Sequence, residues 1–282
     1  MGELPAETRL GSIRLRAADV GLLRDFYERA IGLRPGSTND GVVALGAGDG
    51  PLVELVSDPD ASPRPSQTTG LFHLALLVPT RADLARALRR VLEAGWRLSG
   101  ASDHLVSEAL YLSDPEGNGI ELYRDRPREE WRRTNGELEM ATLPLDLESV
   151  LAESPEGDPG GMVDGTVLGH VHLHVADLAA AHGFWVDALG LDATVRSYPG
   201  ALFTSAGGYH HHVGLNTWAG VGIPRPPTGS RGLERFEVVV PDSVAVAAAR
   251  SRLAPVADVR DLDGGVLVED PSGNALLVRV AD

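Results

Sequence analysis

Cysteine is absent from the 282 residues, which excludes disulfides, thiolate metal ligands and cysteine nucleophiles together. Any metal must therefore be held by His and carboxylates. Long apolar runs are missing as well: no stretch approaches the roughly 20 residues that cross a bilayer. The amino terminus shows no basic segment followed by an apolar run and a small-residue cleavage site. The sequence predicts a soluble protein of the cytoplasm. Positive charge is scarce, with 25 Lys plus Arg against 40 Asp plus Glu and a formal charge of -15. Nucleic acid and anionic membranes are poor partners for such a surface. Small molecules remain as partners, and a homodimer is compatible with the composition. With 43% hydrophobic and 23% charged residues, the chain has the make-up of an ordinary globular protein of one large or two smaller domains.

What is present is repetition. The segment LGSIRLRAADVGLLRDFYERAIGL from Leu10 returns without a gap as LGHVHLHVADLAAAHGFWVDALGL from Leu168. GLFHLALLVPT from Gly70 matches GLERFEVVVPD from Gly232, and DPEGNGIEL from Asp114 matches DPSGNALLV from Asp270. The chain thus divides into residues 8–125, a connector at 126–165, and 166–281, each half holding two units that open with a strand and an amphipathic helix. Alternation at Ile13, Leu15 and at Val171, Leu173, Val175 marks strands. Spacings of three and four through Leu22, Leu23, Phe26, Tyr27, Ala30 and Ile31 mark a helix that stops at Gly32. Asp19 and Asp177 stand where short acceptors cap helix N–H groups. The connector carries Pro127, Pro155 and Pro159 and predicts a short helix near Leu145–Leu151.

These motifs resemble the vicinal oxygen chelate superfamily, which includes glyoxalases, bleomycin-resistance proteins and extradiol dioxygenases. GASDHLVSEALYLSDPEGNGIELYRDRPREEW from Gly100 and GGYHHHVGLNTWAG from Gly207 are similar to its two-domain catechol 2,3-dioxygenase-like members. The resemblance implies an α+β fold of four βαβββ units forming two half-open barrels, whose concave faces take a divalent metal from the first and last strands of each unit.

Side-chain alternation sorts the faces of those strands. Val171, Leu173 and Val175 belong under the helices, so His170, His172 and His174 point into the cup. Phe72, Leu74 and Leu76 likewise assign His73 to the cup, and Ile120 and Leu122 leave Glu121 inward. In the histidine run, Val213 and Leu215 share a face with His211, which turns His210 and His212 inward; His212 matches Glu121 best, with the register open by one. Carried over, the family pattern has Ser12, His73, His170 and Arg235 at the first-strand positions. Glu54, Glu121, His212 and Leu277 occupy the last-strand positions. Only units two and three are furnished with ligands, so a site of His73, Glu121, His170 and His212 requires those two units to close on each other. Units one and four would then pair around an ion network of Arg14, Arg16, Glu54, Arg235 and Glu237.

Two histidines and one carboxylate suit non-haem Fe(II), with Mn(II), Zn(II) or Ni(II) also compatible. The resemblance implies ring cleavage of a catechol-like aromatic by O₂. His104 is the first candidate base, followed by His172 and Tyr209, while Glu108 and Tyr111 could frame the cup. A glyoxalase-type isomerase or lyase with four protein ligands is the second reading. A metal-free protein sequestering aromatics, with Trp185 and Trp218 in its cup, is the third. His182, on a helix, reads as surface.

Overall fold

The computed structural model describes residues 3–281 apart from 40, 49, 155, 156 and 158, and Pro155 of the connector lies outside them. Unit one comprises β1 (Arg9–Ala17), α1 (Val20–Phe26), β2 (Arg34–Asn39), β3 (Val42–Gly46) and β4 (Pro51–Ser57). Unit two comprises β5 (Gly70–Leu77), α2 (Arg81–Glu93), β6 (Gly100–Asp103), β7 (Ser107–Ser113) and β8 (Gly119–Asp125). Unit three comprises β9 (Val167–His174), α3 (Leu178–His182), β10 (Asp192–Val195), β11 (Ala201–Ser205) and β12 (Val213–Asn216). Unit four comprises β13 (Gly232–Val240), α4 (Ser243–Leu253), β14 (Arg260–Leu262), β15 (Gly265–Glu269) and β16 (Ala275–Val280).

The sheets are built across the two halves of the chain. One runs β14-β15-β16-β13-β1-β4-β3-β2, so units four and one share it; the other runs β6-β7-β8-β5-β9-β12-β11-β10, joining units two and three, with the connector's Leu143–Pro144 as an edge strand beside β6. In each, the first strands of two units meet antiparallel at the centre, β1 against β13 and β5 against β9. Their helix-facing residues, among them Ile13, Leu15, Leu74, Val171 and Leu173, are fully buried in one main core. Each such side chain contributes about 1.5–3 kcal/mol by leaving water.

Local chemistry sets the helices. The Asp19 carboxylate accepts from Leu22 N–H and that of Asp177 from Ala180 N–H, capping α1 and α3. After Phe26 the first helix widens into a π turn over Tyr27–Ile31 and ends at Gly32. Leu22 departs from the expected buried stripe and is 49% exposed. The two DP turns are structural clasps. The Tyr27 hydroxyl donates to Asp114 at 3.2 Å, and Trp185 Nε1 donates to Asp270 at 3.3 Å. Each half of the chain is thereby tied together although its two units belong to different sheets. Trp185 is fully buried against Phe236, which removes it from any cup. The connector carries the short helix Leu147–Leu151.

The cup of units one and four is closed by charge. Arg14 and Arg235 face each other across β1 and β13, in the places that His172 and His73 hold across β9 and β5. Arg14 pairs with Glu54 at 2.8 Å, Arg16 with Asp58 at 2.8 Å, Arg279 with Glu237 at 3.3 Å and Arg235 with Asp263 at 3.6 Å. Partly buried like charges persist side by side because each has its own carboxylate.

Candidate metal centre

In the second sheet His73 on β5, Glu121 on β8 and His170 on β9 converge. His73 Nε2 lies 3.0 Å from Glu121 Oε2, His170 Nε2 lies 3.1 Å from the same oxygen, and the two Nε2 atoms are 3.3 Å apart. All three residues are buried. Burial, only partly opposed by Glu121, lowers the His170 imidazole to about 4, leaving it neutral at pH 7. Burial pushes the Glu121 carboxyl up, but His170 and His73 outweigh it and hold the group well below the usual carboxylate range.

This donor set fits a divalent cation. Ligand bonds of about 2.0–2.2 Å at angles between square and tetrahedral place neighbouring donors about 2.8–3.6 Å apart. Without a cation, two imidazoles that both donate to Glu121 set their N–H groups against each other at 3.3 Å. One carboxylate and two imidazole nitrogens leave open positions, the pattern of two-histidine, one-carboxylate sites.

His212 is not part of the group, which corrects the sequence expectation. Its Nδ1 accepts from Ala206 N–H at 3.2 Å and its ring lies against Tyr209. Parallel pairing sets Glu121 beside Ala75 and Gly214 beside His172, so the position in unit three that matches Glu121 is Gly214. A side chain there would meet the His172 ring at 2.9 Å; the imidazole fills the space a fourth ligand would need. The alternation itself held this answer, because Val213 and Leu215 flank Gly214 as Ile120 and Leu122 flank Glu121.

A cavity of about 660 Å³ opens beside Glu121 and His73. His172, His174, Trp218, Phe203 and Tyr198 line one side, and His104, Tyr111 and Met140 the other. Phe72 also faces it, contrary to the expectation that it packs under the helices. The β5–β9 register skips one residue here, pairing His172 with His73 and Leu173 with Leu71. Such a bulge puts two consecutive side chains on one face. Leu71 takes the core position, while the Phe72 ring lies 5.0–5.5 Å from those of His174, His172 and Trp218.

His104 Nδ1 donates to the Ala141 carbonyl at 2.7 Å, so its Nε2 is the acceptor for the Tyr111 hydroxyl at 2.6 Å. Burial, then the charge of Glu121, push the Tyr111 phenol well up. His172 lies in the wall with Nε2 buried and without a hydrogen-bond partner among the described residues, and burial holds it neutral. His211, not His212, reaches the cavity; its Nδ1 meets His210 Nδ1 at 2.7 Å and its ring lies tilted against that of His170, centroids 4.0 Å apart. His210 in turn meets Asp125 at 2.9 Å. Tyr209 is not brought to the cavity: its hydroxyl is bonded to Tyr123 at 2.8 Å and to Asp125 at 3.3 Å. Glu108 is spent on Arg81 and Arg124. His182 is on the surface beside Asp187.

This architecture has relatives. The profile of the Glyoxalase/Bleomycin resistance protein/Dioxygenase superfamily matches residues 9–122. A catechol-2,3-dioxygenase of Bacillus subtilis (strain 168) is 39% identical over 287 residues, spanning 99% of this chain and 100% of that protein. Among solved structures, a Bacillus subtilis protein provisionally named a dioxygenase superposes with a TM-score of 0.67 at 15% identity, covering 97% of this chain and 86% of its own. Glyoxalase I from Zea mays superposes at 0.58 and 15% identity, covering 96% and 92%. At such identities the structural likenesses speak for the fold, while the full-length sequence match speaks for the family. The chain belongs to the glyoxalase/bleomycin resistance protein/dioxygenase superfamily, as a catechol-2,3-dioxygenase-like oxidoreductase.

Proposed function

We propose that this protein cleaves a catechol-like aromatic diol with O₂ in the extradiol manner, using Fe(II) held by His73, Glu121 and His170. The observation that carries the reading is the trio of donor atoms 3.0–3.3 Å apart at the wall of an aromatic-lined cavity. In the reaction the ring C–C bond beside the diol breaks; one oxygen atom of O₂ ends in a carboxylate and the other in the new carbonyl, with no external reductant. When bound, the cation supplies open positions at which two adjacent diol oxygens and O₂ are held together, removing most of the entropic cost of their meeting.

The chain's own groups orient and deprotonate. Phe72, Phe203 and Trp218 clasp an aromatic ring by edge contacts. Tyr111 accepts a diol proton at its hydroxyl oxygen while handing its own to His104 Nε2, which the Ala141 carbonyl keeps in the accepting tautomer. The glyoxalase-type alternative asks for four protein ligands, and Gly214 in the fourth place speaks against it. The test is metal content of protein purified without chelator, followed by O₂ uptake with catechol after anaerobic Fe(II) loading. Stoichiometric uptake with a ring-opened product is expected; bound metal without O₂ consumption across several catechols would sink the proposal.

A further inference from the structure

The cavity is larger than an unsubstituted ring needs: about 660 Å³ falls within the roughly 300–1,000 Å³ of sites that enclose drug-sized ligands. Its far wall carries two arginines from the segments that lead into the first strands of units two and four. Arg64 precedes β5 and Arg231 precedes β13, and both line the cavity. The segments are stitched together by a bridge between Ser62 and Ser230 and by Arg231 N–H donating to the Ser62 carbonyl at 2.9 Å. Both guanidiniums are braced by neutral groups. Arg64 donates to the carbonyls of Thr68, Thr69 and Leu71 at 3.3, 3.1 and 2.7 Å, and Arg231 Nε to that of Ala61 at 3.1 Å. Gly70 makes room, because a Cβ there would stand 3.1 Å from Arg64 Nη1.

Neither arginine has an ion-pair partner among the described residues, unlike the arginines of the other cup. The two carboxylates that line the cavity are already committed. Glu121 belongs to the metal set, and both oxygens of Glu116 accept from Ala18 and Asp19 N–H groups at 3.2 and 2.8 Å. Burial lowers the Arg64 pKa from 12.5 and no carboxylate acts on it; the group remains a cation at neutral pH. A braced cation in a partly apolar wall, with N–H groups unspent, is costly unless an anion completes it. The position is suited to substrate. Arg64 grips the Leu71 carbonyl, and strand rise of about 3.3 Å per residue puts that point within roughly 7 Å of His73 along β5.

Resting on the dioxygenase reading above, we infer that the preferred substrate is a catechol carrying a carboxylate on a short side chain, with the diol at the metal and the carboxylate held by Arg64 and Arg231. Planar guanidinium and planar carboxylate match in two parallel hydrogen bonds, which selects a carboxylate over a neutral polar tail.

Two arms test this and fail independently. In the first, the protein as purified is titrated calorimetrically with 3-phenylpropanoate and with 3-phenylpropanamide, which lack the diol. The acid should bind roughly ten- to a hundred-fold more tightly, the range of hydrogen bonds to charged groups. Arg231→Met, which leaves a single backbone carbonyl without its partner, and Arg64→Met should each erase most of that preference. Equal affinities in the unmutated protein, or a preference surviving in both variants, overturn the inference. In the second arm, kcat/KM of the Fe(II)-loaded enzyme is compared for 3-(3,4-dihydroxyphenyl)propanoate and 4-ethylcatechol, where the same preference and the same loss in Arg231→Met are expected. Turnover without preference overturns the arginine assignment and leaves the dioxygenase reading standing. An arginine-dependent anion preference without turnover of either catechol does the reverse.

Discussion

Replacing Glu121 by Gln isolates what the metal set contributes. The substitution preserves shape and hydrogen-bonding reach at a site buried to 2% exposure. It removes the carboxylate charge from the set. In the metal-free protein two opposing effects arise: hydrogen bonds to a charged acceptor, about 1.5–3 kcal/mol each, are weakened, while the cost of burying the charge disappears. The folded protein should therefore survive. With metal the two proteins part. An ion that binds only the folded state adds about 2.7 kcal/mol at one hundred times its Kd. Domains of somewhat smaller size shift by roughly 2–4 °C per kcal/mol, so Mn(II), which resists air oxidation, should raise the melting temperature of the unmutated protein by about 5–10 °C. Outer hydrogen-bonding partners of ligands are already worth about 10–100-fold in affinity, and a direct ligand is worth at least the upper figure. At the same Mn(II) concentration Glu121→Gln then retains less than about 0.5 kcal/mol of stabilisation, a shift of roughly 1–2 °C. Thermal unfolding followed by circular dichroism, with and without Mn(II), reads this directly. An undiminished shift in Glu121→Gln, or a lost one in Ser12→Ala from the charge-filled cup of units one and four, would refute the site.

Tyr111→Phe and His104→Ala should each lower kcat by about 10²–10⁴-fold while leaving the Mn(II) melting shift unchanged, and steady-state kinetics beside that shift separates proton transfer from metal binding. Phe72→Ala should raise KM for aromatic diols by about 2- to 13-fold, equivalent to the 0.5–1.5 kcal/mol of an aromatic pair, with little loss of stability because the ring is 37% exposed. Trp185→Phe should cost about 1–3 kcal/mol in denaturant unfolding by stripping a partner from the buried Asp270 carboxyl. The metal-free protein should lose stability as pH falls from about 6.5 through 4. Burial holds His170, His172, His174, His211 and His212 below their unfolded value, so the unfolded chain takes up protons first. The buried Asp114 and Asp270 carboxyls, pushed up, work against this but are fewer; a flat stability profile across that window would contradict the neutral-histidine cup.

Much of this protein is legible in its sequence because the information is local. The absence of cysteine confines a metal to His and carboxylates. Period-two and period-3.6 patterns place the four unit-opening strands and helices, since burial on one face imposes those periods wherever the strand or helix packs. Alternation also orients Glu121 and His170 correctly. It fails where a strand is irregular. The bulge at Phe72 turns a ring from the core into the cavity, and a reading offset by two residues, one full period of the strand, took His212 for the place of Gly214 on the same face. The cavity-facing His211 and the uncompensated Arg64 and Arg231 carry no local pattern at all. Their roles depend on which distant segments lie beside them. The decisive case is the pairing of β5 with β9: asymmetry in ligand types points to units two and three, but hydrogen bonds between strands nearly a hundred residues apart are what bring His73 and His170 within 3.3 Å. No span of sequence contains that contact, because its energy belongs to a sheet assembled from both halves of the chain.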